Sequence, residues 1–458
     1  MDKIKHFFRN LVKLSCLSCY PAFFLFAAQA EEIEVRLKTT ADLKPIYMTR
    51  IHTEPNQFDW RYFKELRTVL ETDLNLGGFM HVLPIDEEWE ETFYWPNTKR
   101  NFDLALWRRE KIPYVLTVHA LNDTLRVTVF NVEKEVLKFY PDMPLTGKLE
   151  EDRKQLHKIS DTIHKDLFGI EGIASLRLIY SNRSQDENSR WASEIWISDY
   201  DGFNATQVTF ENDYCISPSF FPMTAGLADP PFFFVSYKQG QSKIYQASQN
   251  KCQVAFELRG NQVLPSINRR GSQMAFISDV AGRPDLFVQN FDPSGRPLGK
   301  SRQLFSTPRA SQASPTFSPN GNKIAFVSDK DGPPRIYLMD VLSSKDTKRV
   351  VPKMLTKRNR ENTCPAWSPD GKKLAYSAKE EGVRQIWIYD FETETESPLT
   401  TGFENKENPN WAPDSLHLTY NTDKDEAGQL FLINLRQREP IQITKGDGQK
   451  RFPSWESR

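Results

Sequence analysis

A short proline-containing strand pattern recurs six times between residues 218 and 455 of this chain. Each copy has a proline, one intervening residue and then a large apolar side chain, as in Pro315-Thr316-Phe317 and Pro453-Ser454-Trp455. The prolines are residues 218, 265, 315, 365, 409 and 453, so consecutive copies are separated by 47, 50, 50, 44 and 44 residues. This period is typical of β-propeller blades and is too long for leucine-rich or tetratricopeptide repeats. The sequence therefore predicts a propeller of six blades.

The copy from Ser314 to Asp340 shows what one repeat contains. Ile324-Ala325-Phe326-Val327 is a continuous apolar run, which is the pattern of a strand covered on both faces. The turn before it is Ser318-Pro319-Asn320-Gly321, where proline and Asn-Gly favour a tight reversal. A third strand at Arg335–Met339 and a more polar fourth strand ending at Leu355 complete a four-stranded antiparallel blade.

The first and last fragments of the repeat complement each other. The last copy is followed by only a few residues after Trp455, whereas Leu176 to Phe210 has the pattern of a second, third and fourth strand without a first. We expect the C-terminal strand to complete that blade, because a closed ring leaves no exposed sheet edge. The predicted fold class is mainly β, with an N-terminal α/β domain and a six-bladed propeller closed by its N- and C-terminal strands.

Residues 1–30 have the features of a secretory signal peptide. Basic residues from Lys3 to Lys13 precede an apolar run, and Ala28-Gln29-Ala30 is a typical cleavage site. The apolar run of roughly a dozen residues is shorter than the ~20 that a spanning helix needs. We therefore expect cleavage and export to the periplasm, with no direct membrane insertion; a retained anchor and lipidation at Cys19 are the alternatives.

Residues 31–168 show a mixed pattern that predicts a separate α/β domain, followed by the propeller in residues 169–458. We expect a strand at Ile33–Leu37 and then a polar loop, and we expect the acidic run Asp86–Glu91 to be a solvated loop. Two amphipathic helices and a hairpin are also predicted. The apolar face of the first helix holds Phe63, Leu66, Leu70 and Leu74, that of the closing helix holds Leu156, Ile159, Ile163 and Leu167, and the hairpin strands are Tyr114–Ala120 and Leu125–Val132.

Few residue patterns suggest chemistry. His157 and His164 lie seven residues apart on the closing helix, but with no third ligand close to them we expect surface histidines. Asp199-Tyr200-Asp201-Gly202 resembles part of a calcium loop, yet its glycine is fourth rather than sixth and position twelve is not glutamate. Neither a nucleophile elbow nor a zinc-protease motif occurs in the mature chain. We predict no catalytic residues, no metal and no cofactor.

Charge and cysteine content limit the partners and the covalent links. The chain has 60 basic and 60 acidic residues, and this zero net charge argues against nucleic acid as a partner. Three of the five cysteines, Cys215, Cys252 and Cys364, remain after signal cleavage. An oxidising compartment permits one disulfide, and Cys215 and Cys252 fall in one blade, but the sequence leaves their separation open.

The repeat S-P-x-[FW]-S-P-[DN]-G-x-x-[IL]-A-[FY] resembles that of the TolB family, the periplasmic propellers of the Tol-Pal system. It runs from Ser314 to Phe326 and again from Cys364 to Tyr376, with cysteine in place of the first serine. The order of signal peptide, α/β domain and six blades fits the same family. Three turns depart from the pattern, at 217–226, 268–271 and 412–415, and leave the geometry of those turns open.

The resemblance implies a non-enzymatic periplasmic adaptor that binds a Pal-like outer-membrane lipoprotein and supports outer-membrane integrity and constriction during cell division. It also implies a monomer and a TolA-like inner-membrane partner that contacts the mature N-terminus. That N-terminal strand, predicted to be regulatory, includes Glu31, Ile33, Val35 and Leu37, whose alternation allows edge pairing. An ordinary edge strand of the α/β domain is the alternative. The competing functions are a propeller peptidase or lyase acting on an envelope substrate, and a generic extracytoplasmic scaffold.

The residues leading into each inner strand are predicted to surround one mouth of the propeller and to bind the partner. The resemblance points most directly to Asn261, Leu264 and Ala313. The full predicted set is Asn261, Gln262, Val263, Leu264, Ser311, Gln312, Ala313, Ser314, Asn362, Thr363, Lys406, Glu407 and Asn408.

Overall fold

An α/β region comes first in the part of the chain that the structure describes. The computed structural model describes residues 43–53, 58–92, 103–185, 189–222, 227–248, 251–341, 350–423 and 427–458. Within these ranges, none of the helices is long and apolar enough to cross a membrane. The elements of the α/β region are β1 (Lys44–Thr53), α1 (Trp60–Leu76), β2 (Met80–Val82), α2 (Glu87–Thr92), α3 (Leu104–Arg109), β3 (Tyr114–Leu121), β4 (Thr124–Asn131), β5 (Val136–Phe139), β6 (Met143–Pro144) and α4 (Leu149–Phe168).

One mixed sheet and the two long helices form the core of this region. The strand order is β2-β1-β3-β4-β5, with β6 paired to β4. β1 is parallel to both of its neighbours, whereas β3, β4 and β5 are antiparallel. Leu66 and Leu70 of α1 pack with Leu156 and Ile163 of α4 in one buried cluster. The amphipathic patterns that predicted α1 and α4 therefore mark the faces that cover the sheet.

Two segments predicted to be loops are regular elements. The segment before α1 contains β1, the strand between β2 and β3, in which Ile46, Tyr47 and Met48 are fully buried. The acidic segment contains α2, and its Glu90 accepts a hydrogen bond from the Tyr47 hydroxyl at 2.7 Å. Both predictions are wrong, since the buried run of β1, Ile46 to Thr49, is only four residues long and the acidic residues of the second segment surround a single apolar side chain, Trp89.

Six four-stranded antiparallel sheets form the propeller. Blades 1 to 5 follow one another in the sequence, and blade 6 combines the first three propeller strands with the last one. The strands are β7 (Arg177–Gln185), β8 (Trp191–Asp199) and β9 (Thr206–Gln207) of blade 6; β10 (Cys215–Phe220), β11 (Phe232–Ser236), β12 (Lys243–Ser248) and β13 (Lys251–Val254) of blade 1; β14 (Gln262–Ile267), β15 (Gln273–Ser278), β16 (Asp285–Phe291) and β17 (Pro297–Phe305) of blade 2; β18 (Gln312–Phe317), β19 (Lys323–Ser328), β20 (Arg335–Asp340) and β21 (Lys353–Met354) of blade 3; β22 (Glu361–Trp367), β23 (Lys373–Glu380), β24 (Val383–Asp390) and β25 (Thr395–Pro398) of blade 4; β26 (Asn405–Trp411), β27 (His417–Asp423), β28 (Leu430–Asn434) and β29 (Gln437–Gln442) of blade 5; and β30 (Gln449–Trp455), the inner strand of blade 6.

Pairing of β30 with β7 closes the ring. Trp455 lies opposite Leu178 in this antiparallel pair, and the strand order of blade 6 is β30-β7-β8-β9. Immediately after β30, the buried Glu456 carboxylate accepts a hydrogen bond from Arg177 Nη2 at 2.7 Å. The predicted closure by the N- and C-terminal strands is confirmed.

Apolar side chains hold neighbouring blades together. Ile277 and Val288 of blade 2 share a buried cluster with Phe317 and Phe326 of blade 3, and similar clusters join other neighbouring pairs. In β19 the predicted apolar run from Ile324 to Val327 is buried along its whole length. A strand sandwiched between two blades needs apolar residues on both faces, which explains the run.

The serine of the repeated turn has a local structural role. Ser318 Oγ accepts a hydrogen bond from the Lys323 backbone N–H at 2.9 Å, and Gly321 supplies a φ of +75°. In the divergent turn of blade 2 the side chain of Asn268 replaces the serine and accepts from the equivalent backbone N–H, that of Gln273, at 3.2 Å. The turn therefore keeps its hydrogen bond although the sequence pattern is degenerate there.

Candidate functional site

The inner strands of the six blades surround a central channel. These strands, β10, β14, β18, β22, β26 and β30, all begin at one mouth and end at the other, as in propellers generally. We call the mouth where they begin the front mouth and the mouth where they end the back mouth. The predicted partner-binding residues all belong to the beginnings of inner strands and therefore lie at the front mouth.

One position of each repeat, three residues before the proline, is buried rather than exposed to a partner. Gln262 Nε2 donates to the carbonyl oxygen of Leu258 at 2.9 Å, and Lys406 Nζ donates to that of Thr401 at 2.9 Å. Burial lowers the pKa of Lys406. These side chains support the preceding loops from inside. The buried members of the predicted set are Gln262, Gln312, Asn362 and Lys406, and Lys450 occupies the same position in blade 6.

The next residues along the inner strands form a ring of bulges that the sequence did not reveal. Each inner strand changes register at the residue before the proline, and this residue has a φ between +43° and +54° in all six blades. All six line a cavity of about 350 Å³ in the channel. We call these residues the bulge ring: Ser217, Leu264, Ser314, Cys364, Asn408 and Phe452. Leu264, Ser314 and Asn408 of the predicted set are therefore brought together here.

Hydrogen bonds fix the loops at the rim of the front mouth. The Asn261 side chain donates to Asp279 Oδ2 at 2.6 Å, and this bond lowers the pKa of Asp279. The Ser311 backbone N–H donates to Asp329 Oδ1 at 2.7 Å, while its side chain is exposed. Asn261 and Ser311 therefore lie in loops at the rim of the front mouth.

A second polar group lies at the rim between blades 4 and 5. Arg384 Nη1 donates to Thr363 Oγ1 at 3.1 Å, and Arg384 Nε lies 3.1 Å from Glu407 Oε1. The structure therefore brings Thr363 and Glu407 together through an arginine that sequence reasoning missed. Val263 and Ala313, in contrast, pack against the apolar clusters between blades.

Large apolar side chains are exposed in the loops at the front mouth. Phe403, in the loop before β26, is 99% exposed, and Phe210, in the loop before β10, is 73% exposed. Tyr237 and Val280 follow second strands of their blades and are also exposed at this end. Other exposed aromatic side chains lie elsewhere, such as Trp60 and Phe139 in the α/β region and Phe203 in the β8–β9 loop, but Phe403 is the most exposed of them. Exposed apolar side chains are common in interaction surfaces. Sequence reasoning missed those at the front mouth because they lie in loops without a repeated pattern.

The α/β region contacts the back mouth. His417 begins the second strand of blade 5, and its Nε2 bonds to the carbonyl oxygen of Leu76 at the end of α1, while its Nδ1 lies 2.6 Å from Asp414 Oδ2. Burial alone would lower the pKa of His417, but the Asp414 carboxylate outweighs it and raises that pKa. The His417 side chain, bonded to Asp414 on one side and to the Leu76 carbonyl oxygen on the other, therefore links the two parts of the chain.

A buried polar cluster extends this contact to blade 6. The Asp73 carboxylate of α1 accepts hydrogen bonds from Tyr200 Oη at 2.8 Å and from Ser160 Oγ at 2.7 Å. His157 Nδ1 lies 2.8 Å from Asp73 Oδ2. His157 and His164 are only 2% and 5% exposed, so the prediction of surface histidines is wrong. The reason is that α4 packs against α1 on one side and the propeller on the other.

The three described cysteines, Cys215, Cys252 and Cys364, are free thiols. Cys215 lies on the inner strand of blade 1 and Cys252 on its outer strand, so the two are separated by the width of the blade. Burial raises the pKa of Cys215 above its ordinary range and also raises that of Cys364. The Cys215–Cys252 disulfide that the sequence left open is therefore not formed.

The predicted signal peptide and the predicted regulatory strand, with Glu31, Ile33, Val35 and Leu37, lie outside the described residues.

Comparisons with known proteins agree with this architecture. The family model described as the TolB beta propeller domain matches residues 164–458. A curated TolB homolog from Protochlamydia amoebophila is 42% identical over 298 residues, which are 64% of this chain and 63% of that protein. A TolB homolog from Chlamydia felis is 33% identical over 294 residues, 63% of each chain. The match thus spans less than two thirds of the length of these relatives.

A solved structure extends the likeness of fold to the α/β region. The crystal structure of TolB from Acinetobacter baumannii superposes with a TM-score of 0.70 at 23% identity, covering 92% of this chain and 98% of that one. The six closed blades and the residues matched by the family model point the same way. This chain belongs to the TolB beta propeller domain family.

Proposed function

We propose that this chain is a non-enzymatic adaptor of a Tol-Pal-type system in the periplasm. In this role it binds a Pal-like, peptidoglycan-associated lipoprotein of the outer membrane, and it supports outer-membrane integrity and constriction during cell division. Membership of the TolB beta propeller domain family supports the assignment to a Tol-Pal-type system. The exposed aromatic side chains at the front mouth carry the proposal that this mouth is the docking surface.

The proposed surface combines apolar anchors with a polar rim. Phe403 and Phe210 supply large apolar area that water covers in the free protein, and burying such side chains is a main source of affinity in reversible complexes. Asn261, Ser311 and Glu407 supply hydrogen-bonding groups around them. The contacts between the α/β region and the propeller described above lie at the back mouth, so they leave these groups accessible.

The thiol of the bulge ring lacks the features of a cysteine nucleophile. A nucleophilic cysteine needs a lowered pKa, which an adjacent cation or a helix N-terminus provides. Burial instead raises the pKa of Cys364 and keeps the thiol protonated. The channel cavity of about 350 Å³ extends from the bulge ring toward the ends of the inner strands, so it lies on the side away from the proposed docking surface.

We predict that Phe403→Asp weakens binding of the lipoprotein at least about tenfold, the loss expected when an aromatic anchor is replaced by a charge. The side chain is 99% exposed, so the melting temperature should not change. The measurement is a pull-down of purified protein from envelope extract, blotted for a Pal-like lipoprotein and followed by titration with the purified partner. Ala313→Arg is a less selective probe, because Ala313 packs against the blade core.

The matched control is Leu227→Asp. Leu227 is 50% exposed in the loop between β10 and β11, which lies at the back mouth. Its substitution should leave lipoprotein binding unchanged. The reverse pattern, with binding lost in Leu227→Asp and kept in Phe403→Asp, would place the docking surface at the back mouth. Turnover of an envelope peptide or glycan by the purified protein would instead establish an enzyme.

We further propose that the mature N-terminus binds a TolA-like inner-membrane protein and regulates lipoprotein binding. Alternating apolar residues at Ile33, Val35 and Leu37 can add a strand to a partner's sheet edge. Deleting residues 31–38 is expected to abolish capture of the TolA-like partner and to change lipoprotein affinity. A control that replaces the same residues with a polar sequence of equal length should give the same loss. Unchanged binding of both partners would assign these residues to the α/β sheet alone.

A further inference from the structure

Three metal-ligating side chains converge where α4 meets blade 6. His157 lies on α4, Asp199 ends β8, and Asp201 lies in the turn that follows. One ring nitrogen of His157 and one carboxylate oxygen of each aspartate lie within 4.8 Å of one another. His157 is 2% and Asp199 6% exposed, and the Asp201 side chain is 10% exposed.

The orientation of His157 leaves one nitrogen for a ligand. Its Nδ1 is paired with the Asp73 carboxylate at 2.8 Å, and the bonds from Tyr200 and Ser160 hold that carboxylate in place. The other nitrogen, Nε2, is buried and has no hydrogen-bond partner among the described residues. A carboxylate on one imidazole nitrogen with the second nitrogen directed at an ion is the usual arrangement around metal-binding histidines.

The charges of the cluster also favour a cation. Three buried or nearly buried carboxylates, those of Asp73, Asp199 and Asp201, face one guanidinium, that of Arg153, which is paired with Asp201. Asn204 Nδ2 donates to Asp199 Oδ2 at 2.6 Å but brings no charge. Buried carboxylates are stable in their charged form when a cation neutralises them.

We propose that His157, Asp199 and Asp201 bind a divalent transition metal ion of the Zn²⁺ class, with Asp73 orienting the histidine. Imidazole together with carboxylates suits Zn²⁺ and its neighbours in the first transition row, whereas Ca²⁺ and Mg²⁺ take oxygen ligands. Such an ion joins α4 to the turn after β8. It would therefore tie the α/β region to blade 6, at the end of the propeller opposite the proposed docking surface.

The test is titration of the full chain with Zn²⁺ after chelator treatment. We expect one tight site per chain, a rise in melting temperature on loading, and a Co²⁺ complex with visible absorption bands. Asp199→Asn keeps the size of the side chain and the bond from Asn204, and it should weaken Zn²⁺ binding at least about tenfold. Absence of Zn²⁺ binding by the wild type would show a purely structural ion-pair cluster and overturn the proposal.

The matched control is His119→Gln, since His119 stacks on His52 elsewhere in the α/β region with ring centroids 5.3 Å apart. This variant should bind Zn²⁺ as the wild type does; loss of the site here, with retention in Asp199→Asn, overturns the assignment. X-ray absorption of the Zn²⁺-loaded wild type needs no variant and guards against misfolding. It should show scattering from a single imidazole, and two imidazoles would contradict the proposed ligands.

Discussion

Deleting Arg451–Arg458 is expected to destabilise the protein far more than the loss of eight terminal residues normally does. Burial of Trp455 contributes about 1.5–3 kcal/mol to the free energy of unfolding. The charged hydrogen bonds between Arg177 and the buried Glu456 contribute about another 1.5–3 kcal/mol. Their sum is a large part of the roughly 5–15 kcal/mol that stabilises a typical domain. The deletion also leaves β7 as an unpaired edge, which favours aggregation.

The measurement is urea or thermal unfolding of the truncated and full-length proteins. Removing only Ser457 and Arg458 is the control, because it leaves β30 and Glu456 in place. Arg458 bonds to the buried Asp161 at 2.7 Å and to the Gly172 carbonyl oxygen at 2.8 Å, so this shorter deletion should cost about 1.5–3 kcal/mol, which is less than the cost of the full deletion. If both deletions shift the transition equally, closure by β30 does not carry the stability that we assign to it.

Gly202→Ala, in the turn after β8, is expected to lower the free energy of unfolding strongly. Gly202 has a φ of +86°, and an added Cβ would lie 1.8 Å from the carbonyl oxygen of Ile443 in blade 5. The backbone strain costs about 1–3 kcal/mol, and relieving the clash by moving the neighbouring chain costs about another 1–3 kcal/mol. We therefore expect the free energy of unfolding to fall by roughly 2–6 kcal/mol.

Gly382→Ala separates the two causes. Gly382 has nearly the same φ, +90°, but an added Cβ there meets nothing within 4 Å. This variant should show the strain alone, about 1–3 kcal/mol. Equal losses of stability in the two variants would mean that the close approach of the turn to blade 5 does not affect the free energy of unfolding.

The propeller could be predicted from the sequence because the blades repeat the same sequence features. The inner proline recurs in all six blades, and most blades also have the apolar run of the second strand, so six weak signals reinforce one another. The strand β1 had no such support. Its buried residues, Ile46 to Met48, follow Lys44 and Pro45 and precede Thr49 and Arg50, and a short apolar run between polar residues resembles a loop.

The polar sites were less predictable, because tertiary contacts assemble them. Neither His157 nor the Asp199–Asp201 turn has a complete set of metal ligands in its own stretch of sequence. The fold brings the two together across 42 residues. For Gln262 and Lys406 the error was the reverse: both were predicted to face a partner, but both are buried. Their polarity suggested a wet surface, whereas it satisfies loop carbonyls inside the blades. Polar character alone does not distinguish a buried bond from an exposed one.

In the bulge ring the backbone sets the shape of the channel, and the side chains set the chemistry of its lining. The backbone conformation is the same in all six blades, while the side chains there range from serine to phenylalanine. A positive φ strongly disfavours β-branched residues, and valine, isoleucine and threonine are indeed missing from the six positions. Leu264 also packs against the apolar cluster between blades 2 and 3, so the other positions are the better candidates for exchange. The ring is therefore a natural starting point for engineering, where a recess could be redesigned for a new small ligand one side chain at a time.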